Sequence, residues 1–164
     1  MLYAAVASLF LASAVLAETP PGFAPNVTAH LDVKYGSKVV TPGLALTKSG
    51  NPGQYAGLPA GSRAVNLHGL ITGYTSATTL TDGLYVLSSK ETGPASYLAP
   101  GPPAENPVHP HKYIELLFPQ PEGFVVPSSQ TAAISKRIGF NITTFAADAK
   151  LGDAVRANWF TQQG

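Results

Sequence analysis

At 164 residues the chain is the length of a single domain, and its ten basic and nine acidic side chains are nearly balanced and unclustered. That distribution argues against a nucleic-acid partner and against a polybasic membrane patch. The lack of cysteine rules out a disulfide framework and thiol chemistry, so the fold must rest on its own apolar core.

Residues 1–17 have the composition of a secretory signal peptide. The run 2–16 is almost wholly apolar, and Val15, Leu16 and Ala17 fit a cleavage site before Glu18. A run this short, with no basic flank, is not expected to anchor in a membrane. The mature chain, about 147 residues, is therefore expected to be secreted and extracellular, with no transmembrane segment. In that pathway Asn26, in Asn-Val-Thr, and Asn141, in Asn-Ile-Thr, are glycosylation acceptors. The proline-rich residues 18–26 predict an extended arm, and residues 27–162 a single domain.

Periodicity begins at residue 27. Val27, Ala29, Leu31, Val33 and Tyr35 alternate with Thr28, His30, Asp32 and Lys34, which predicts a strand with one buried face. His30 falls on the polar face, in solvent. Gly36 and Ser37 predict a turn, residues 38–41 a returning strand, and residues 49–62 a loop. Over residues 64–74 a less regular alternation sets Val65, Leu67 and Ile71 against Asn66, His68 and Thr72. A polar loop follows over residues 75–82, then a short strand over residues 84–87. Residues 124–126 are strand-like, and residues 128–137 hold at least one helical turn. A short helix over residues 144–150 is capped by Asn141 or Thr143 and stopped by Gly152, and residues 154–160 make a final strand. The sum is a mainly β domain with a minor helical part.

Residues 101–118 organise the rest. Pro102, Pro103, Pro107 and Pro110 deny the first part regular structure, because each lacks a backbone donor. The second part is a strand over residues 113–118. A period of two carried back from it places His111, Tyr113, Glu115 and Leu117 on one face. A rigid loop that feeds an imidazole, a phenol and a carboxylate onto one side of a strand is a way to line a small pocket.

Three ordered segments resemble the phosphatidylethanolamine-binding proteins, above all the secreted fungal-type members. Gly101-Pro-Pro, a spacer, His111-Lys-Tyr and Ile-Glu-Leu-Leu-Phe are similar to that family's Gly-x-His-Arg-Tyr segment. Leu67-His-Gly-Leu-Ile-Thr-Gly is similar to its strand with a ligand-site histidine, and residues 139–146 and 151–160 to its C-terminal helix and last strand. The resemblance covers most of residues 24–162. It implies a β-sandwich with a short C-terminal helix, no cofactor, and non-enzymatic binding of phosphate or a phospholipid headgroup. His68, His111, Tyr113 and Gly101 would line the anion pocket. Some members inhibit serine carboxypeptidases, so a secreted or vacuolar carboxypeptidase is a second implied partner. The alternatives are an inhibitor or interaction module working through surface loops, and a nonfunctional truncated product.

The chain departs from that pattern in three places. The family's Asp-Pro-Asp-x-Pro motif, whose acidic group helps form the pocket, occurs nowhere, and the chain passes almost directly from Gly61 to Val65. A central strand is therefore expected to be missing, which predicts unpaired sheet edges and lower stability than in a full-length relative. Lys112 stands in place of the usual Arg and cannot reproduce its planar fork of donors. Glu115 stands where an apolar or aromatic residue is usual, and an inward carboxylate needs a partner or a proton. The expected pocket is degraded, its histidine wall kept and its acidic wall lost.

Other chemistry is poorly supplied. His109 and His111 have the spacing of a metal-binding strand pair, but Pro110 disturbs it and no third ligand is suitably spaced. There is no Gly-x-Ser-x-Gly elbow and no lysine-bearing phosphate loop. Neither a metal site nor catalysis is expected.

Overall fold

The computed structural model describes residues 18–46 and 63–164. The expected signal peptide, residues 1–17, and the whole of the expected loop at 49–62 lie outside the described residues. Among those described, the elements run β1 (Val33–Tyr35), β2 (Lys38–Val40), β3 (Leu44–Leu46), β4 (Thr75–Thr81), β5 (Leu84–Ser88) and β6 (His111–Leu117). A 3-10 turn (Ser128–Gln130), α1 (Thr131–Lys136), α2 (Ile142–Asp148) and β7 (Arg156–Gln162) follow. The protein is mainly β.

Strand β7 is the centre of the largest described sheet, ordered β3–β7–β6. Along one edge β6 pairs antiparallel over its whole length, from His111 opposite Gln162 to Leu117 opposite Arg156. The other edge is covered in two pieces. Near its start Leu31 N–H donates to the Ala157 carbonyl (2.7 Å) and Ala157 N–H to the Ala29 carbonyl (2.9 Å). Near its end β3 pairs in parallel, with Leu44 opposite Phe160. Asn158, fully buried, ties residue 31 and β2 to the sheet: Nδ2 donates to the carbonyls of Leu31 (2.9 Å) and Val40 (3.1 Å). Its Oδ1 accepts the Trp159 N–H at 2.7 Å. A buried amide is tolerated because it is paired in this way.

The two helices are too short to persist alone and hold by packing. Ile134 of α1, Phe145 of α2, Phe140 and Ala95 form a buried cluster against which Leu67, Leu70 and Leu151 pack. Phe145 is fully buried, which contributes about 1.5–3 kcal/mol relative to exposure. Asn141 caps α2 by accepting the Thr144 N–H at 3.0 Å. Asp148 at its other end accepts from Ser129 Oγ (2.8 Å) and Gln130 Nε2 (2.6 Å), joining the 3-10 turn to α2. Those donors hold the Asp148 carboxyl below its ordinary range.

Several expectations need correction. Residues 18–26 do not form an extended arm: Phe23 N–H donates to Pro20 (3.0 Å), Glu18 N–H to Val27 (2.9 Å), and Thr19 is fully buried. The alternation over 27–35 becomes a strand only at β1, because residues 29–31 pair with β7 at a single bridge, His30 with Ala157. Over 64–74 the chain makes isolated bridges, Asn66 with Ile138 and Leu70 with Ala95, and no strand. The expected loop over 75–82 is instead mostly β4, paired with β5. Residues 124–126 are not a strand, and α2 ends at Asp148, before Gly152.

Candidate functional site

Alternation along β6 sends His111, Tyr113 and Glu115 to one face, opposite Gln162, Phe160 and Asn158 of β7. The Tyr113 ring stacks on Phe160, with centroids 5.1 Å apart and planes 13° apart. His68 meets Tyr113 edge-on, at 5.1 Å and 76°, and Tyr35 meets Phe160 edge-on, at 5.6 Å and 75°. The fold thus sets His68 against Tyr113, with His111, a third expected site residue, two positions away on the same face of β6. Phe160 and Tyr35, not singled out by the sequence for this site, complete an aromatic ledge.

His68 is held from both sides. Nδ1 lies 2.9 Å from the Leu98 carbonyl and Nε2 lies 3.3 Å from Asn66 Nδ2. A carbonyl only accepts and an amide nitrogen only donates, which assigns the proton to Nδ1 of a neutral ring. Burial lowers the His68 pKa, the Leu98 carbonyl opposes that shift, and the Arg137 charge adds to it. At neutral pH His68 is an uncharged ring that positions Tyr113, not a cation offered to a phosphate.

His111 is placed differently. Its Nε2 is buried, lies 3.3 Å from Glu105 Oε1, and has no aligned hydrogen-bond partner among the described residues. The two side chains are 30% and 32% exposed, so each shows an edge to solvent although Nε2 itself is covered. Glu105 belongs to the proline lead-in, of which Gly101 and Pro102 are buried. Nothing in the spacing of that segment singled out Glu105.

Glu115 gains a partner from far along the chain. Its Oε1 accepts from the Tyr35 hydroxyl at 2.9 Å, while its Oε2 is buried without a hydrogen bond among the described residues. Burial pushes its pKa from an ordinary 4.5 up to about 7, against the pull of the Tyr35 hydrogen bond. Burial, and then Glu115 and Tyr97, push the Tyr35 phenol up in turn. The Glu115 carboxyl thus lies on the His111 and Tyr113 face of β6, as the period of two places it, and Glu105 adds a second carboxyl beside His111.

Lys112 lies on the opposite face of β6, its Nζ 6.0 Å from the Trp159 ring centroid. His109 turns its Nδ1 to the Val108 carbonyl, at 2.9 Å. Asn26 and Asn141 are both exposed. Two surface grooves lie elsewhere, one along α2 beside Phe118 and one at the end of α1. Neither is lined by His68, His111, Tyr113 or Gly101.

No protein-family model matches the chain, and no solved structure matches it. Two curated fungal proteins are similar to it, both called phomoidride biosynthesis cluster protein N. The one from a Fungal sp. strain is 46% identical over 74 residues, taking in 43% of this chain and 32% of that protein, so the match spans about a third of its length. The one from Talaromyces stipitatus is 25% identical over 203 positions, covering 98% of this chain and 97% of that protein. Those 203 positions hold about 161 residues of this chain, so about 40 positions of the relative face gaps here.

Proposed function

We propose that the chain is a non-enzymatic binding protein resembling the phosphatidylethanolamine-binding family, with a sandwich-type β domain that has lost an internal segment. The about 40 additional positions of the Talaromyces relative support such a loss. The ligand is a small phosphate-bearing molecule or headgroup, held at His111 and Glu105. As the relatives are named for a biosynthesis cluster, the natural ligand is proposed to be an acidic biosynthetic molecule that is carried and not transformed.

The observation that carries this reading is the buried Nε2 of His111, which has no hydrogen bond among the described residues while a partly exposed carboxylate stands beside it. A buried polar atom whose charged neighbour is near but not aligned for a hydrogen bond is under-satisfied, and that calls for an explanation. With the partly exposed imidazole turned outward from Glu105, a phosphate oxygen accepts from it, and an ammonium on the same ligand pairs with the Glu105 carboxylate that is released. Glu115 is four residues further along β6, about 13 Å at the usual rise per residue, too far to share a headgroup of this size. Tyr113, fixed between His68 and Phe160, forms the wall of the site.

Calorimetry with inorganic phosphate and phosphorylethanolamine tests the reading. Saturable heat is expected with wild type and none with His111→Ala, while Glu105→Gln removes the preference for phosphorylethanolamine over phosphate. The same heat from wild type and from the His68→Ala/His111→Ala double variant removes the claim.

A further inference from the structure

The groove at the end of α1 was singled out by nothing in the sequence. It is an open groove of about 460 Å³, wide enough for a small organic ligand to lie in with one side in solvent. Ala95 and Ile134, each 4% exposed, lie beneath it; Pro94 and Val126 supply its accessible apolar surface, and its rim carries the hydroxyls of Ser96, Thr131 and Ser135. Arg137 is the one charged side chain among its described lining residues.

The guanidinium is held without being neutralised. Nη1 donates to the Leu67 carbonyl at 3.1 Å and Nη2 to Ser96 Oγ at 3.4 Å, and no carboxylate pairs with it among the described residues. These bonds use two of its five N–H donors and leave the others for oxygen acceptors. The uncompensated charge is felt nearby, where it helps lower the His68 pKa.

The backbone gives a second, independent indication. Arg137 has φ 63° and ψ −43°, and the Ile138 N–H donates to the Lys136 carbonyl at 2.7 Å across it. This is the positive-φ γ-turn, rare and strained for any residue that has a Cβ. Glycine would relieve the strain, yet the position carries the one cation of the groove. As the C-cap of α1, Arg137 ends the helix in this turn, which fixes its guanidinium at the edge of the groove.

We propose that this groove is a second binding site, for a small carboxylic acid with an apolar body. The carboxylate takes the fork of Arg137 and the rim hydroxyls, and the hydrocarbon lies on Pro94 and Val126. The site is separate from the surface at His111 and Glu105 and stands independently of that reading.

The test is a titration of the full chain with sodium hexanoate, followed by amide and histidine-ring NMR, with acetate and inorganic phosphate as comparison arms. Hexanoate is expected to give saturable shifts in residues 93–96 and 131–138 and to raise the His68 pKa. Acetate and phosphate, lacking the apolar body, are expected to bind at least about tenfold more weakly. Arg137→Gly removes the guanidinium while relieving the strained turn, and Ser135→Glu sets a like charge on the rim without touching the turn. Each is expected to weaken hexanoate about tenfold or more. Absence of saturable shifts in wild type, unchanged binding in either variant, or phosphate binding as tightly as hexanoate would overturn the proposal.

Discussion

The Tyr35 hydroxyl donates to Glu115 Oε1 at 2.9 Å, linking β1 to β6 across 80 positions of sequence. One oxygen of the carboxyl is thereby satisfied, and the other stays buried without a hydrogen bond among the described residues. The group sits between its charged and neutral forms near neutral pH, since burial raises its pKa to about 7. Two consequences for stability follow from that geometry.

Stability is expected to fall as pH rises from about 4.5 through about 7. The folded protein holds the Glu115 proton more tightly than the unfolded chain does. The resulting stabilisation is complete below the unfolded pKa and is lost once the folded group ionises. The effect is at most about 3 kcal/mol. Urea midpoints between pH 4 and pH 8 measure it, and Glu115→Gln is expected to flatten this part of the profile.

Tyr35→Phe keeps the edge contact with Phe160 and removes only the hydroxyl. The carboxylate loses a donor it needs most when charged, so a loss of about 1–2 kcal/mol is expected at pH 8 and a smaller one at pH 5. Denaturant unfolding at the two pH values checks this, equal losses would show that the hydroxyl does not depend on the Glu115 charge, and no loss at either pH would assign Tyr35 a packing role alone.

Asn141→Ala is expected to cost about 1 kcal/mol by releasing the Thr144 N–H at the start of α2, whereas Asn141→Asp keeps an acceptor and costs less. The comparison is made by chemical denaturation of the two variants.

Gly93 has φ +72°, and a Cβ there would overlap the Leu70 carbonyl oxygen and lie 2.7 Å from Ile71 Cα. The obstacle is backbone and is itself held by the bridge from Leu70 to Ala95. Gly93→Ala is expected to destabilise by about 2 kcal/mol or more, read from the shift in thermal or urea unfolding.

What the sequence made legible is what local pattern alone determines. The period of two placed His111, Tyr113 and Glu115 on one face of β6, and the register with β7 has them there. Asn141 could be read as a cap because capping is a contact over three residues. Strand β4 was hidden because its Thr and Ser residues are exposed on both faces and leave no apolar alternation. Strand β3, three residues long, is too short to show a period and depends on its parallel partner β7. Residues 64–74 have an alternation but only single bridging partners, so the pattern found no ladder to join. Within the site, Glu105 beside His111, Phe160 under Tyr113 and Tyr35 on Glu115 are tertiary pairings that no local spacing announces.

Amide chemical-shift mapping during a titration with phosphorylethanolamine tests the binding claim most directly. The expected result is a saturable response centred on Gly101, Glu105, His111 and Tyr113, absent from the His111→Ala variant. A response that does not saturate, that persists in His111→Ala, or that centres on residues 93–96 and 131–138 would contradict it.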